Sequence, residues 1–102
     1  MITDKCKSDF EVWLKEQPVA PYVQMFDSIP LIVQQSYLLQ FFDAANIYID
    51  TFATFELDGD FSYFDLWINT ECVTNKGFKT REEALTEGIK LANEIYNKNA
   101  DR

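Results

Sequence analysis

The stretch that decides the fold runs from residue 47 to residue 70 and reads IYIDTFATFELDGDFSYFDLWINT. Apolar and polar residues alternate along both of its halves, a period of two that is typical of β-strands. Asp58-Gly59 separates the halves and is a favoured pair for a two-residue type I′ hairpin loop. The pattern therefore predicts an antiparallel hairpin with strands over 47–57 and from 61 to about 70.

The loop also predicts which residues of the two strands face each other. With Leu57 opposite Asp60, one face of the hairpin carries the pairs Ala53–Phe64, Thr51–Leu66 and Ile49–Ile68, and we expect it to pack on the core. The opposite face is aromatic, with Asp50, Glu56 and Asp65 between its rings. We call seven residues of this face the predicted contact face: Tyr48, Asp50, Phe52, Phe61, Tyr63, Asp65 and Trp67.

The predicted contact face is too apolar for a sheet surface that simply meets water. Each of its five rings can bury on the order of 150–250 Å², so we expect something to cover them. The cover is an N-terminal helix of the same chain, a second copy of the chain, another protein or a small molecule. Rings beside carboxylates suit Arg and Lys side chains, which favours a protein partner with a basic surface.

The N-terminal third of the chain is expected to be helical. A first helix is predicted from just after Thr3, which can cap it, to about Gln17. Pro18 and Pro21 end this helix and open a short helical turn over 22–26. The first helix carries an apolar stripe at helical spacing, which consists of Cys6, Phe10, Trp13 and Leu14.

A longer second helix is predicted to start at Ser28 and Pro30 and to run to about Ala45. Gln34 and Gln35 lie on its inward path, and we expect them at the rim of the core rather than inside it. The residues that keep the helical period are Leu31, Gln34, Gln35, Leu38, Phe41, Phe42 and Ala45.

The C-terminal part of the chain is predicted to be a loop followed by a helix. Residues 71–77 form the loop, with a short third strand around Val73. Thr80-Arg-Glu-Glu83 is a capping box, in which the Thr80 oxygen accepts from the Glu83 amide and Glu83 reaches back to the Thr80 amide. The inner face of the last helix carries Ala84, Gly88, Leu91, Ala92, Ile95 and Tyr96, and the helix frays near 97–99. Together the elements predict one α+β domain over 1–102, in the order α-(α)-α-β-β-α.

Charge is distributed unevenly along the chain. Residues 16–75 contain no Lys or Arg and nine acidic side chains, so they carry −9 while the rest of the chain carries +1, which gives the net charge of −8. Such a surface repels nucleic acids and anionic membranes, so neither is an expected partner. Two functions fit: a non-catalytic protein that acts through protein–protein contact or self-association, or an acidic inhibitor or decoy that occupies a basic site on a nucleic-acid-handling protein.

The composition argues against catalysis and against cofactors. The chain has no His, and its two cysteines, Cys6 and Cys72, lack the spacing of a redox pair or a zinc site. The acidic cluster over 56–65 is not a calcium loop, because the twelfth position from Glu56 is Trp67 where a Glu is required. We therefore expect no enzyme activity, no cofactor and no metal. The first ten residues lack the apolar stretch of a secretory signal, which predicts a cytoplasmic protein.

The C-terminal half also carries a resemblance. A hairpin followed by Gly77-Phe-Lys-Thr-Arg-Glu-Glu-Ala84 and by Ala92-Asn-Glu-Ile-Tyr-Asn97 resembles small uncharacterised bacterial proteins of phage and mobile-element regions. The similarity covers about residues 47–98. It implies a phage-like or mobile-element origin for the chain and transfers no functional residues.

Overall fold

A computed structural model describes residues 1–18, 26–73 and 77–100 of the chain. It contains the helices α1 (Asp4–Lys15), α2 (Leu31–Ala44) and α3 (Arg81–Ala100) and the strands β1 (Ile49–Phe55), β2 (Phe61–Ile68) and β3 (Glu71–Cys72). The order α-α-β-β-β-α confirms the predicted α+β class. Most of the helical turn predicted over 22–26 lies outside the described residues.

The helices pack on one face of a three-stranded antiparallel sheet with the strand order β1-β2-β3. α3 approaches the sheet closely at Gly88, where a Cβ atom would lie 2.7 Å from Cγ2 of Ile49 and 2.9 Å from Cδ1 of Leu66. Only glycine lets the helix backbone come this near to the two strands. The core then forms from α1, α2, α3 and the inner face of the sheet, and its largest fully buried side chains are Phe42, Leu14, Leu38, Leu66, Ile89 and Cys6.

One glutamine of α2 lies inside this core. The expectation that Gln35 sits at the rim is wrong, since only 2% of the residue is exposed. Its Nε2 donates a hydrogen bond of 3.1 Å to Oγ1 of Thr86 on α3, which offsets the loss of water around the amide. Gln34, one position earlier, is half-buried and donates to the carbonyl of Ile29.

The N-terminus of α1 is capped by side chains of α3. Thr3 occupies the N-cap position as predicted, but its side chain makes no capping hydrogen bond. Instead Oδ1 of Asn97 accepts from the Cys6 amide at 2.8 Å, and Oδ1 of Asn93 accepts from the Thr3 amide at 2.9 Å. The Thr3 hydroxyl is used as an acceptor for Nδ2 of Asn93 at 3.2 Å. The two ends of the described chain are thereby held together.

The β1–β2 loop differs from the predicted type I′ turn. The Gly59 amide donates to the Glu56 carbonyl at 3.0 Å, and the Glu56 amide donates to the Asp60 carbonyl at 2.7 Å, which makes a three-residue loop of residues 57–59. Gly59 has a φ of 92°, whereas Asp58 keeps an ordinary φ, so the two left-handed residues of a type I′ turn are not present. Oδ1 of Asp58 accepts from the Asp60 amide at 3.0 Å, which favours this turn.

The longer loop would shift every strand pair by one residue, but a β-bulge compensates for it. Thr54 pairs with Tyr63 and Phe55 pairs with Phe61, so Ser62 is an extra residue in β2. From Thr54 to Ile49 the pairing is the predicted one, as the Ala53–Phe64, Thr51–Leu66 and Ile49–Ile68 pairs show. The faces of this part of the hairpin are therefore those that the sequence predicts.

A type I′ turn is found at the other end of β2. Asn69 and Thr70 have φ values of 51° and 72° and connect β2 to β3, whose Glu71 pairs with Ile68. The third strand is present, at Glu71–Cys72 rather than around Val73. Asn69 also ties β1 to this turn, because its Oδ1 accepts from the Tyr48 amide at 2.8 Å.

The start of α3 follows half of the predicted capping box. The Glu83 amide donates to Oγ1 of Thr80 at 3.1 Å, as predicted. The reciprocal bond goes to a different residue, since Oε2 of Glu83 accepts from the Lys79 amide at 3.3 Å rather than from that of Thr80. The cap therefore reaches back to Lys79, one residue further than the motif predicts.

Candidate protein-contact site

The face of the sheet that points away from the helices carries aromatic rings and carboxylates. We call it the outer face and define it by the residues that the β1–β2 pairing places there: Tyr48, Asp50, Phe52, Thr54, Tyr63, Asp65 and Trp67. Tyr48, Phe52 and Tyr63 are 46%, 54% and 37% exposed, whereas Trp67 is half-buried. Six of the seven residues of the predicted contact face are thus brought together on one surface.

Phe61 is the residue of the predicted contact face that lies elsewhere. It pairs with Phe55, its ring centroid is 4.9 Å from that of Phe64, and both of these neighbours belong to the opposite face. The bulge at Ser62 is the reason, because an extra residue reverses the direction of the side chains that precede it. The assignment of Phe61 to the same face as Tyr63 is therefore corrected.

No helix of the described part of the chain lies over the outer face. α1 packs against α2 and α3, and both α1 and α2 contribute their buried side chains to the core on the helical side of the sheet. The interpretation in which an N-terminal helix covers the predicted contact face is thus wrong for residues 1–18 and 26–44. The rings of Tyr48 and Phe52 meet solvent instead.

The side chains of the outer face are held in place by contacts with each other. The rings of Phe52 and Trp67 meet edge to face across the strands, with centroids 6.2 Å apart and planes at 90°. Oγ1 of Thr54 donates to Oδ2 of Asp65 at 2.9 Å, which fixes one carboxylate between the rings. A fixed carboxylate beside an exposed ring face is the arrangement that binds a guanidinium or ammonium group.

Tyr63 is positioned from the side by Gly77. A Cβ atom on Gly77 would lie 2.6–2.7 Å from Cβ, Cγ and Cδ2 of Tyr63, so the ring rests directly on the glycine backbone. Cβ and Cγ of Tyr63 are close to the main chain of β2, so a rotation of the side chain cannot relieve this contact. Gly77 therefore sets the orientation of an outer-face ring, although it lies outside both strands.

Two residues of this arrangement were missed by sequence reasoning. Thr54 alternates with Phe52 in the sequence, so the period of two places it on the outer face, but no local pattern indicates its hydrogen bond to Asp65. Gly77 carries no local signal at all, because its contact with Tyr63 depends on how the segment after β3 returns to the sheet.

The outer face has no basic residue of its own. All of its members lie within residues 16–75, where the sequence contains no Lys or Arg. Arg81, at the start of α3, lies on the helical side of the sheet, where its guanidinium carbon is 5.0 Å from the centroid of the Phe64 ring. Neither Asp50 nor Asp65 forms an ion pair with a Lys or Arg of residues 1–18, 26–73 and 77–100, which makes the outer face both aromatic and acidic.

A second group of titratable side chains lies between α1 and α3. Nζ of Lys5 is 2.8 Å from Oδ1 of Asp9, and the Tyr96 hydroxyl donates to Oδ2 of Asp9 at 2.6 Å. These two hydrogen bonds lower the pKa of Asp9, while burial and then the bond to Asp9 raise the pKa of Tyr96 to about 12. Burial, with a smaller contribution from Asp9, raises the pKa of Cys6 to about 12, so this thiol stays protonated and is a poor nucleophile.

Other candidate sites of the described residues offer less. A groove of about 760 Å³ lies between the segment 77–80 and the first two turns of α3, and it is open to solvent along its length. Within residues 1–18, 26–73 and 77–100 no three His, Cys, Asp or Glu side chains are arranged to hold a metal ion. In the same ranges no helix has both the length and the apolar character needed to cross a membrane.

Comparisons with protein-family models, with curated proteins and with solved structures gave no match to this chain. The resemblance of the C-terminal half to phage and mobile-element proteins therefore stays a prediction.

Proposed function

We propose that this chain is a non-catalytic binding protein, which contacts a basic surface of another protein through its outer face. The observation that carries the proposal is the exposure of three aromatic rings, Tyr48, Phe52 and Tyr63, on a sheet face that no described helix covers. Large rings left in water on one surface are typical of protein-interaction sites.

The chemistry of the outer face favours an Arg-bearing or Lys-bearing partner. Asp65 is fixed by Thr54 beside Tyr63 and Trp67, and exposed Asp50 lies opposite Trp67. A guanidinium group that stacks on a ring can hydrogen-bond to an adjacent carboxylate at the same time, which makes Arg the better fit of the two. Since no ion pair of the described residues involves Asp50 or Asp65, a basic partner gains charge pairing without displacing one.

The alternative function, an acidic inhibitor or decoy of a nucleic-acid-handling protein, rests on charge rather than on the rings. It draws support from the nine acidic residues of 16–75. The two proposals differ in their dependence on salt, because attraction between exposed charges is screened over about 8 Å at physiological ionic strength. Contact through stacked rings loses much less affinity when salt is added.

The first test uses a chemically defined probe. In a Trp13→Phe background Trp67 is the sole tryptophan, so its fluorescence reports on the outer face. We expect an oligo-arginine peptide to change this fluorescence and to shift the amide NMR signals of residues 48–54 and 63–67. An oligo-lysine peptide of the same length should bind more weakly. Equal binding of both peptides that disappears in high salt would favour the decoy, and unchanged signals would refute the proposal.

The second test uses affinity capture with matched variants. The double variant Phe52→Ser, Tyr63→Ser removes two outer-face rings, whereas Val12→Ser removes an exposed apolar side chain of α1, 59% exposed, on the helical side. We expect one captured protein to be retained by the wild type and by Val12→Ser and lost by the double variant. A capture pattern that is the same for all three proteins would contradict the proposal.

A further inference from the structure

The outer edge of β1 is an open strand edge. β1 lies at the end of the sheet and has β2 as its neighbour on one side, and no backbone or side-chain hydrogen bond of the described residues reaches its other side. The open edge extends over the seven strand residues Ile49–Phe55.

The hydrogen bonds of the hairpin show which backbone groups point outward. The Asn69 amide donates to the Tyr48 carbonyl at 3.0 Å, so Tyr48 and every second residue after it bond to β2. The intervening residues direct both their N–H and their C=O groups away from the sheet. These residues are Ile49, Thr51, Ala53 and Phe55.

In the described parts of the chain, β1 has none of the features that normally protect an open edge. Natural edge strands carry Lys, Pro or a bulge, or are covered by another element. The sequence IDTFATF contains neither Lys nor Pro, and its single charge is Asp50. The bulge of this hairpin lies in β2, at Ser62, where it leaves the β1 edge regular. The strand is also rich in β-branched and aromatic residues, which favour pairing.

We infer that a second copy of this chain pairs antiparallel with β1, edge to edge, to form a continuous six-stranded sheet. The symmetric register that pairs all seven residues of Ile49–Phe55 places Phe52 on the two-fold axis. Thr51 then exchanges both hydrogen bonds with the partner's Ala53, and Ile49 does so with the partner's Phe55. Every outward N–H and C=O group of the strand obtains a partner in this register.

Charge permits this register and excludes two others. With Phe52 on the axis, Asp50 lies opposite the partner's Thr54, which is neutral. Moving the axis to Ala53 would bring Asp50 against the partner's Glu56, and moving it to Asp50 would place two aspartates face to face. Like charges directly opposite each other destabilise a strand pair. The register that uses the whole strand is thus also free of such a clash.

This pairing also covers apolar surface that the isolated chain exposes. Phe55 is 60% exposed at the tip of the hairpin, and in the dimer it lies beside the partner's Ile49. On the outer face, Phe52 meets the partner's Phe52 across the axis. The two outer faces then form one larger aromatic surface that stays open. The inference goes beyond the proposed function, because it uses the edge of the sheet and not its face.

A cysteine placed on the axis tests the register directly. In a non-hydrogen-bonded antiparallel pair the Cα atoms are about 4.5 Å apart, within the range of a disulfide. We expect Phe52→Cys in a Cys72→Ser background to give a covalent dimer on mild oxidation. The control Tyr48→Cys in the same background should stay monomeric, because the two copies of residue 48 would be about 26 Å apart at roughly 3.3 Å per residue. Equal cross-linking of both variants would overturn the register.

A proline at an outward position tests the pairing without a thiol. Thr51→Pro removes an outward N–H, which a monomer tolerates at a sheet edge, and circular dichroism checks that the fold is kept. Each dimer loses two hydrogen bonds, so we expect the dimer Kd in sedimentation equilibrium to rise about tenfold or more. Since the contact contains no ion pair and each copy carries a charge of −8, added salt should not weaken the dimer.

The same measurements separate this inference from the proposed function. Tyr63→Ser removes an outer-face ring on β2, away from the edge, so it should leave the dimer Kd unchanged and weaken the binding of oligo-arginine. Thr51→Pro should raise the dimer Kd and leave the binding of oligo-arginine unchanged. A wild-type chain that sediments as a monomer at about 100 μM, a concentration at which even a weak dimer of this kind forms, would refute the edge pairing and leave the outer-face proposal standing.

Discussion

The side chain of Asn93 joins the two ends of the fold, and its removal gives the sharpest test of the packing. The residue is 8% exposed, accepts from the Thr3 amide at 2.9 Å and donates to the Thr3 hydroxyl at 3.2 Å. It also accepts from Nδ2 of Asn97 at 3.3 Å. Asn93→Ala removes these three hydrogen bonds, and each is worth about 1 kcal/mol because water can reach the exposed Thr3.

The helix itself gains from this substitution, since Ala has a higher helix propensity than Asn by about 0.6 kcal/mol. We therefore expect the free energy of unfolding to fall by about 2–3 kcal/mol. Urea denaturation followed by circular dichroism measures it, and the m-value should stay constant.

The matched control is Asn99→Ala. Asn99 lies on the same helix and is exposed, with no hydrogen bond from its side chain to another described residue. The free energy of unfolding of Asn99→Ala should change only by the gain in helix propensity. A loss at Asn93 of less than about 0.5 kcal/mol, or equal effects at the two positions, would refute the view that Asn93 holds the N-terminus of α1.

Three further outcomes follow from the packing and the titratable groups. Gly88→Ala should destabilise by about 1–2 kcal/mol in urea denaturation, because crowding against the two strands outweighs the better helix propensity of Ala; a more stable variant would contradict the close approach. Tyr96→Phe removes a hydrogen bond that, after the one from Lys5, lowers the pKa of Asp9. A carboxyl group whose pKa is lowered by folding stabilises the fold at pH values above its unfolded pKa of about 3.9, and this stabilisation disappears at lower pH. The free energy of unfolding that Tyr96→Phe removes should therefore shrink as the pH falls below about 3.9. A loss of stability that does not depend on pH would refute the link between Tyr96 and Asp9. The Cys6 thiol, with its pKa raised to about 12 by burial, should react with iodoacetamide only at the rate of unfolding, and rapid alkylation of the native protein would show that α1 opens on its own.

The alternation of residues 47–70 was sufficient to predict the faces of the hairpin, although the predicted loop was wrong. A three-residue loop and a bulge at Ser62 each shift the pairing by one residue, and the shifts cancel from Thr54 onward. Burial of one face decides the register more strongly than the turn does. Phe61 lies between the loop and the bulge, where the shifts do not cancel, and its face was therefore the one that sequence reasoning could not predict.

Contacts between distant parts of the chain were beyond the reach of the sequence. Gln35 is polar, and only the arrival of Thr86 from α3 makes its burial tolerable. Thr3 has the side chain of a local cap, but the asparagines at 93 and 97 do the capping. Local patterns predict helices and strands well, whereas hydrogen bonds between residues about ninety positions apart depend on the completed fold.

The capping of α1 by α3 also bears on the order in which the protein can be built. Residue 3 binds residue 93, and residue 6 binds residue 97, so α1 obtains these capping hydrogen bonds only after about ninety further residues have been synthesised. Closing so large a loop carries an entropic cost, and contacts of this range slow folding. The nascent chain can form its hairpin early, but α1 gains its final hydrogen bonds only when α3 docks against it.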